Sequence, residues 1–278
     1  MSQFDFIPFS TQYEPKNALL LSRLANLAYY SNEDKIKSDL SSWGLPTYHL
    51  LDAEGTQGII ATNDETVIVA FRGTEFDQIE DVITDADVRL VPGPKGLVHS
   101  GFKQAVDVVW DEMLAKIDEY QGKTVDGTRV TTQAKSLWFT GHSLGAALAT
   151  LAVARLRLEM DRGVFGLYTF GSPRTGNPEF SSALNTDFKP YIFRFVNNND
   201  VVTRVPLRKM DYSHVGSLTY IDADGSFYND IGWWWRFLDR VQGRVEDFLE
   251  AGTDGAKDHG SGNYIDAITR QLNWRPRR

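Results

Sequence analysis

The region from 136 to 196 alternates strand-like and helix-like segments, and this alternation limits the folds that the chain can adopt. Three short apolar runs have the length of buried strands, and the two segments between them are helix-like. The strand-like runs lie at 136–141, 164–171 and 191–196, and the helix-like segments at 143–160 and near 177–185. This order requires parallel crossovers around a buried sheet. The sequence therefore predicts an α/β fold with a mostly parallel central sheet flanked by helices.

Further elements are expected on both sides of this region. They are strands at 48–53, 57–62 and 66–72, a strand pair near 211–221, a helix from Pro15 onward, and helices near 100–121, 231–250 and 262–272. The stretch 74–97 has no regular pattern, which at this length is typical of a lid or a binding loop. The chain has no internal repeat and no linker-like stretch, so we expect a single domain over residues 1–278.

Composition excludes several classes of function. The 278 residues carry a net charge of −8, which disfavours nucleic acid as a partner. The absence of cysteine excludes disulfides, thiolate metal sites and a cysteine nucleophile. No window resembles a membrane-spanning helix, and the N-terminus lacks the pattern of a secretion signal. We therefore expect a cytoplasmic protein, or one exported without a recognisable signal.

The segment 141–145, Gly-His-Ser-Leu-Gly, matches the pattern G-x-S-x-G. A strand is predicted to end at Gly141 and a helix to begin at Ser143. Such a sharp turn exposes the serine hydroxyl, and glycine on either side avoids collisions with the neighbouring backbone. The alternative is a glycine-rich turn whose serine only caps the helix. In this context we predict that Ser143 is a nucleophile.

A serine nucleophile needs a histidine base, and the chain has five histidines. His142 lies within the turn, where a neighbour usually faces away from the attacking oxygen. His49 and His99 precede the serine, whereas α/β-hydrolases have the order serine, acid, histidine. His214 lies in a strand-like segment and is interpreted as structural. His259 lies in a polar, glycine-flanked loop, where catalytic residues are common, and is the predicted base.

The acid that orients the base should follow a late strand and precede His259. Asp200 does so, because it follows the strand 191–196 after three asparagines, at the edge where open α/β sheets bind ligands. An Asx turn or a strand-end cap is the structural alternative for Asp200. Asp222 and Asp224 are weaker candidates, because they lie in a hairpin-like turn. We predict that Asp200 is the acid.

The reaction also needs backbone N–H groups that bind the developing oxyanion. One comes from Leu144, the residue after the nucleophile, and the second comes from a loop after an early strand. The strand 66–72 runs into Gly73 and Thr74, so Thr74 is the predicted second donor. An ordinary turn at the end of that strand is the alternative.

Several segments of the chain resemble the fungal-type (class 3) lipase family of α/β-hydrolases. They are VAFRGT at 69–74, VHSGF at 98–102, GHSLG at 141–145, GSPRTGN at 171–177 and NDVVTRVP at 199–206, extended by His214 and the loop at His259. The resemblance covers about residues 66–265. It implies an α/β-hydrolase fold with Ser143, Asp200 and His259 as triad and Thr74 and Leu144 as oxyanion hole.

The resemblance also implies a function. We expect a serine carboxylic-ester hydrolase, a lipase that cleaves acylglycerols through an acyl-enzyme, without a metal or an organic cofactor. Its partners are expected to be a lipid or a small ester and, transiently, a lipid interface. Alternatives are a polar-lipid acyl hydrolase such as a phospholipase A1 or a galactolipase, an esterase for soluble esters, an acyltransferase, and a non-catalytic ligand-binding protein.

The sequence departs from the family pattern in the lid that the resemblance implies after Thr74. Phe76, Ile79 and Val82 are the predicted lid residues, and four of the eight residues at 75–82 are acidic. Val82 stands where family members often carry tryptophan. Secreted fungal members also have disulfides and signal peptides, neither of which is found here. We therefore expect a bacterial or plant-like intracellular branch, with activity that leans toward soluble esters.

An aromatic cluster opens the predicted helix near 231–250. Trp233 and Phe237 lie in line with Arg240 and Arg244 at helical spacing. Two rings that lead into two arginines indicate a wall of the acyl groove or a contact with a membrane interface. The alternative is that both rings pack beneath the C-terminal helix.

The aromatic cluster can be tested with the double variant Trp233→Ser and Phe237→Ser. We expect turnover of long-chain esters to fall at least about tenfold. Each substitution removes an aromatic ring, and the apolar contact that a ring makes with a long acyl chain is worth more than about 1.4 kcal/mol. Turnover of a short-chain ester serves as the control and should not change. If both long-chain turnover and liposome binding stay at the wild-type level, the assignment is wrong.

Overall fold

The computed structural model describes residues 5–74, 89–122, 134–198, 200–222, 225–228 and 258–273. Within these ranges the strands are β1 (Thr47–Ala53), β2 (Thr56–Thr62), β3 (Thr66–Phe71), β4 (Leu90–Pro92), β5 (Leu97–His99), β6 (Ser136–His142), β7 (Gly166–Phe170), β8 (Ile192–Asn197), β9 (Ser217–Ile221) and β10 (Phe227–Tyr228). The helices are α1 (Pro15–Leu27), α2 (Glu33–Ser42), α3 (Ser100–Tyr120), α4 (Leu144–Leu158), α5 (Pro178–Phe188) and α6 (Ser261–Asn273).

The main sheet has its strands in the order β1-β2-β3-β6-β7-β8-β9-β10. Neighbours from β3 to β9 pair in parallel. The edges are antiparallel, because β1 and β2 form one hairpin next to β3 and β10 pairs with β9. The strands β4 and β5 form a separate hairpin. The predicted α/β fold with a mostly parallel sheet is confirmed.

Alternate residues of each central strand face two different helical layers. In β3, Val67, Val69 and Phe71 belong to the core that the sheet shares with α3, α4 and α5. Ile68 and Ala70 belong to the opposite core, which includes α1, α2 and α6. Successive side chains of a strand point to opposite faces, so a strand that is apolar throughout is buried on both sides. This arrangement leaves the carboxyl ends of the parallel strands as the edge that can carry a site.

The predicted strand pair near 211–221 is wrong in its first half. The strand β9 covers only Ser217–Ile221, and its antiparallel partner is Phe227–Tyr228. Asp211 and Gly216 have φ angles of +64° and +78°, and such left-handed residues interrupt an extended strand. The segment before β9 is therefore a loop.

The sequence analysis does not predict the helix α2, the hairpin of β4 and β5, or the strand β10. The helix α2 buries only Ile36 and Leu40, which makes its apolar pattern weak, and it begins at a cap in which Asn32 accepts from the Lys35 N–H at 2.9 Å. The hairpin of β4 and β5 begins within the stretch 74–97, which has no regular sequence pattern, and ends two residues after it. Among the described residues, none of the helices has the length and apolar character that crossing a membrane requires.

The helix α4 lies unusually close to the sheet where it begins. A Cβ atom on Gly145 would lie 2.3 Å from the carbonyl oxygen of Phe71 in β3. A Cβ atom on Gly141 would lie 2.3 Å from the carbonyl carbon of Gly145. Both contacts are with backbone, which cannot rotate away, so the glycines permit the close crossing of β6, β3 and α4.

The close crossing predicts that Gly145→Ala destabilises the fold. We expect the free energy of unfolding to fall by about 1–3 kcal/mol, because the added methyl group overlaps fixed backbone. Gly163→Ala is the matched control, since a Cβ there meets no atom within 4 Å, and its effect should stay within about 0.5 kcal/mol. Urea unfolding of both variants measures this, and equal stabilities would contradict the crossing as the cause.

Candidate active site

Ser143 stands at the junction of β6 and α4 in a strained backbone conformation. Its φ and ψ angles are +57° and −130°, a region that residues other than glycine rarely adopt. The Ser143 N–H donates to the carbonyl of Phe170 in β7 at 3.0 Å. The serine is thus held at the carboxyl edge of the sheet, in the strand-to-helix turn that the glycine pattern predicts.

His259 and Asp200 form a fully buried pair. The Nδ1 atom of His259 lies 2.9 Å from both carboxylate oxygens of Asp200. A carboxylate only accepts, so Nδ1 carries the proton, and in the neutral ring Nε2 then carries the lone pair. That Nε2 is buried and makes no hydrogen bond to any residue that the structure describes, Ser143 included. It is the ring nitrogen available as a base.

Two further groups hold the Asp200 carboxylate. The Val202 N–H donates to Oδ1 at 3.0 Å, and the Tyr264 hydroxyl donates to Oδ2 at 2.5 Å. Burial raises the pKa of Asp200, but the charge and hydrogen bond of His259 and the Tyr264 hydroxyl outweigh burial and hold this pKa below its usual value. The carboxylate therefore stays ionised and keeps its orienting hydrogen bonds to the imidazole.

His142 connects the serine turn to the loop that carries His259. Its Nε2 lies 2.6 Å from the carbonyl oxygen of His259, its Nδ1 lies 2.8 Å from the Tyr29 hydroxyl, and its ring centroid lies 4.4 Å from that of His259. Burial, with a contribution from neighbouring His259, lowers the pKa of His142 to about 3, so the ring is neutral. A carbonyl only accepts, so Nε2 donates to it and the Tyr29 hydroxyl donates to Nδ1.

The two predicted oxyanion donors line one cavity of about 440 Å³. Leu144 is the first residue of α4, so its N–H has no acceptor within the helix. Thr74 follows Gly73, where a Cβ atom would lie 2.1 Å from the Tyr29 hydroxyl and 2.5 Å from the carbonyl oxygen of His142. Glycine at this position lets the chain after β3 pass directly beside the serine turn.

The described residues therefore bring together five of the predicted site residues at one end of the sheet: Ser143, Asp200, His259, Thr74 and Leu144. Gly171 shows how tight this convergence is, because a Cβ there would lie 2.8 Å from both Asp200 and His259. The predicted lid and groove residues lie outside the described residues; they are Phe76, Ile79, Val82, Trp233 and Phe237. The helix predicted near 231–250 lies outside them as well.

The weaker candidates occupy other positions. His214 donates from Nε2 to the carbonyl of Thr203 at 2.8 Å, which agrees with the structural role predicted for it. The Asp222 carboxylate accepts the Ser226 N–H at 2.8 Å in the turn between β9 and β10. Asp224 lies outside the described residues.

Sequence reasoning missed Tyr264, Tyr29 and the contacts of His142. Tyr264 is separated from Asp200 by 64 positions, and Tyr29 is separated from His142 by 113. Nothing in the local pattern distinguishes these tyrosines from others that pack in the core. The one available signal was weak: Tyr264 carries a hydroxyl five residues after the predicted base His259, on the next helix.

Comparison with known proteins gives sequence relatives among lipases. A family model described as Lipase (class 3) matches residues 68–210. The secreted mono- and diacylglycerol lipase LIP4 of Malassezia restricta is 32% identical over 165 residues, which cover 56% of this chain and 52% of that protein. Triacylglycerol lipase OBL1 of Arabidopsis thaliana is 30% identical over 202 residues, covering 59% and 38%. The chain spans about half the length, or less, of these curated relatives.

Solved structures of fungal lipases are similar to this chain. Lipase II from Rhizopus niveus superposes with a TM-score of 0.60 at 24% identity, covering 73% of this chain and 78% of that one. The lipase from Rhizopus microsporus var. chinensis has a TM-score of 0.59 at 26% identity and covers 74% of each chain. The likeness confirms that the fold is that of an α/β-hydrolase.

The depressed pKa of His142 predicts an acid-dependent loss of stability. Between pH 6.5 and about 3 the unfolded chain binds a proton at this residue that the folded protein does not bind. Stability therefore falls on acidification, by up to about 1.4 kcal/mol per pH unit. Urea unfolding at pH 6.5, 5.5 and 4.5 should show this slope for the wild type and a shallower slope for His142→Gln. Parallel slopes for the two proteins would contradict the assignment.

Proposed function

Because this chain belongs to the class 3 lipase family, we propose that it is a serine hydrolase that cleaves the carboxylic esters of acylglycerols. The observation that carries the proposal is the state of His259. One ring nitrogen is held by the Asp200 carboxylate, and the other is buried and makes no hydrogen bond to any described residue. The proposed substrate class is supported by the relatives, which are described as mono-, di- and triacylglycerol lipases.

The proposed reaction begins with attack by the Ser143 hydroxyl on the ester carbonyl. His259 Nε2 takes the hydroxyl proton as the new bond forms, and the ionised Asp200 stabilises the resulting imidazolium. The N–H groups of Leu144 and Thr74 donate to the oxyanion, and the amino end of α4 favours the same negative charge. His259 then gives its proton to the departing alcohol.

Water completes the proposed cycle. It attacks the acyl-enzyme, gives a proton to His259 Nε2, and releases the fatty acid as the proton returns to Ser143. Each step transfers protons and an acyl group only, so the chemistry needs no metal and no organic cofactor. Contact with a lipid interface and the lid role of Phe76, Ile79 and Val82 belong to the same proposal.

The proposal is tested by replacing each member of the proposed triad. We expect Ser143→Ala and His259→Ala to lower kcat on a diacylglycerol emulsion by more than about 10⁴-fold, and Asp200→Asn by about 10⁴-fold, because the imidazole then loses its orientation. Ser41→Ala, on the exposed side of α2, is the matched serine control and should keep full activity. Released fatty acid is titrated at constant pH.

Three outcomes would overturn the proposal in different ways. Full activity of Ser143→Ala, or a fluorophosphonate that does not label Ser143, rejects the nucleophile. Faster hydrolysis of a phospholipid or galactolipid than of any acylglycerol rejects the substrate class but keeps the mechanism. If an alcohol is added and the products are new esters of that alcohol instead of free fatty acid, the protein is an acyltransferase.

A further inference from the structure

Four arginines and one histidine form a cationic cluster next to the loop that begins at Asp200. Its members are Arg174, after β7; Arg194, in β8; Arg204 and Arg208, after β8; and His214, before β9. The charges of the other three arginines all act on Arg174, and those of Arg174, Arg194 and Arg208 act on His214. The triad proposed above uses none of these side chains.

Part of the cluster holds the loop after Asp200. Arg174 donates from Nη1 to the carbonyl of Pro206 at 2.7 Å and to that of Arg204, and its backbone N–H donates to Val205 at 2.8 Å. His214 donates to the carbonyl of Thr203 at 2.8 Å. The backbone of residues 203–206 is thus fastened to the cluster.

Within the part of the chain that the structure describes, the positive charges of Arg174 and Arg194 have no carboxylate as a counter-charge. The two residues are only 3% and 5% exposed, and the Nε atom of each is buried and finds no hydrogen-bond partner among the described residues. No carboxylate of the described residues pairs with either of them. Buried charges in native proteins are paired and hydrogen-bonded, because an unpaired one costs several kcal/mol.

The arginines cannot escape this cost by losing their protons. Burial and the neighbouring arginines lower the pKa of Arg174 to about 9, and burial lowers that of Arg194 to about 10. Both values leave the guanidinium groups charged at neutral pH. His214 contributes no charge, because burial and Arg194 keep its pKa well below the usual value. The described residues supply no compensating carboxylate for Arg174 or Arg194, which leaves that role open to a bound anion.

We propose that the cationic cluster is a binding site for a small inorganic anion, with the Nε–H groups of Arg174 and Arg194 as donors. The proposed occupant is compact, of the size of chloride or phosphate, because Arg174 and Arg194 are only 3% and 5% exposed. Guanidinium N–H groups suit both anions. The anion neutralises the cluster that fastens residues 203–206, and it thereby stabilises the loop that begins at Asp200.

The proposal predicts an anion-specific gain in stability. The thermal midpoint is measured at constant ionic strength as sodium chloride or sodium phosphate replaces sodium gluconate, whose anion is too large to enter. We expect a saturable rise of about 3–6 °C at ten times the dissociation constant. Whichever salt gives the rise at lower concentration identifies the preferred ion.

The variant Arg194→Met distinguishes a site from a general salt effect. We expect no rise in either salt and a higher midpoint than wild type in gluconate, because an unpaired buried charge has been replaced by an apolar side chain. Arg23→Met, on α1, is the matched control and should keep the full rise. A wild-type midpoint that is equal in all three salts would overturn the proposal, as would a full rise in Arg194→Met.

A second measurement does not depend on any variant. Crystals of the wild-type protein grown in sodium bromide should show an anomalous peak in hydrogen-bond contact with Arg174 and Arg194, if the site takes halides. Crystals grown in phosphate should show tetrahedral density at the same place, if it takes oxyanions. Absence of both features would overturn the site, whatever the stability of the variant.

Discussion

The left-handed backbone of Ser143 is the constraint on which the rest of the site depends. A φ of +57° turns the chain from β6 into α4 within one residue, and it costs of order 1–3 kcal/mol for a residue with a side chain. The turn can close only because Gly141 and Gly145 let backbone meet backbone without a Cβ atom. The Ser143 carbonyl accepts the Ala146 N–H, and the Ser143 N–H donates to the Phe170 carbonyl. These hydrogen bonds keep Ser143 in its strained conformation.

Around this turn, polar contacts are made between elements that are distant in the sequence. The His142 ring joins the end of α1 to the main chain of His259, through Tyr29 on one side and a carbonyl on the other. Tyr264 joins α6 to the Asp200 carboxylate. Both networks are buried, where hydrogen bonds are strong and a missing partner is costly. They fix the positions of two loops that have little secondary structure of their own.

The loop after Asp200 is in contact with two groups of charged side chains. The Asp200 carboxylate accepts hydrogen bonds from His259 and Tyr264, and these contacts hold its pKa below the usual value. By contrast, Arg174 and Arg194 carry charge that the described residues do not match. The buried Nε–H groups of Arg174 and Arg194, which have no hydrogen-bond partner among the described residues, are the reason to look for an anion beside this loop.

The sequence by itself determined the parallel sheet, the serine turn and the chain order of serine, acid and base. These features are local or sequential: apolar periodicity specifies strands and helices, and the spacing of Gly141 and Gly145 specifies a turn that only glycine permits. The sequence did not predict the left-handed conformation of Asp211 or the helix α2. Neighbouring residues indicate a left-handed conformation only weakly, and α2 has a short apolar pattern. The tertiary structure alone decided that Tyr264 meets Asp200, that His142 meets a carbonyl, and that four arginines gather beside the loop after Asp200. Those contacts join residues tens to hundreds of positions apart, and packing, not periodicity, sets which side chains meet.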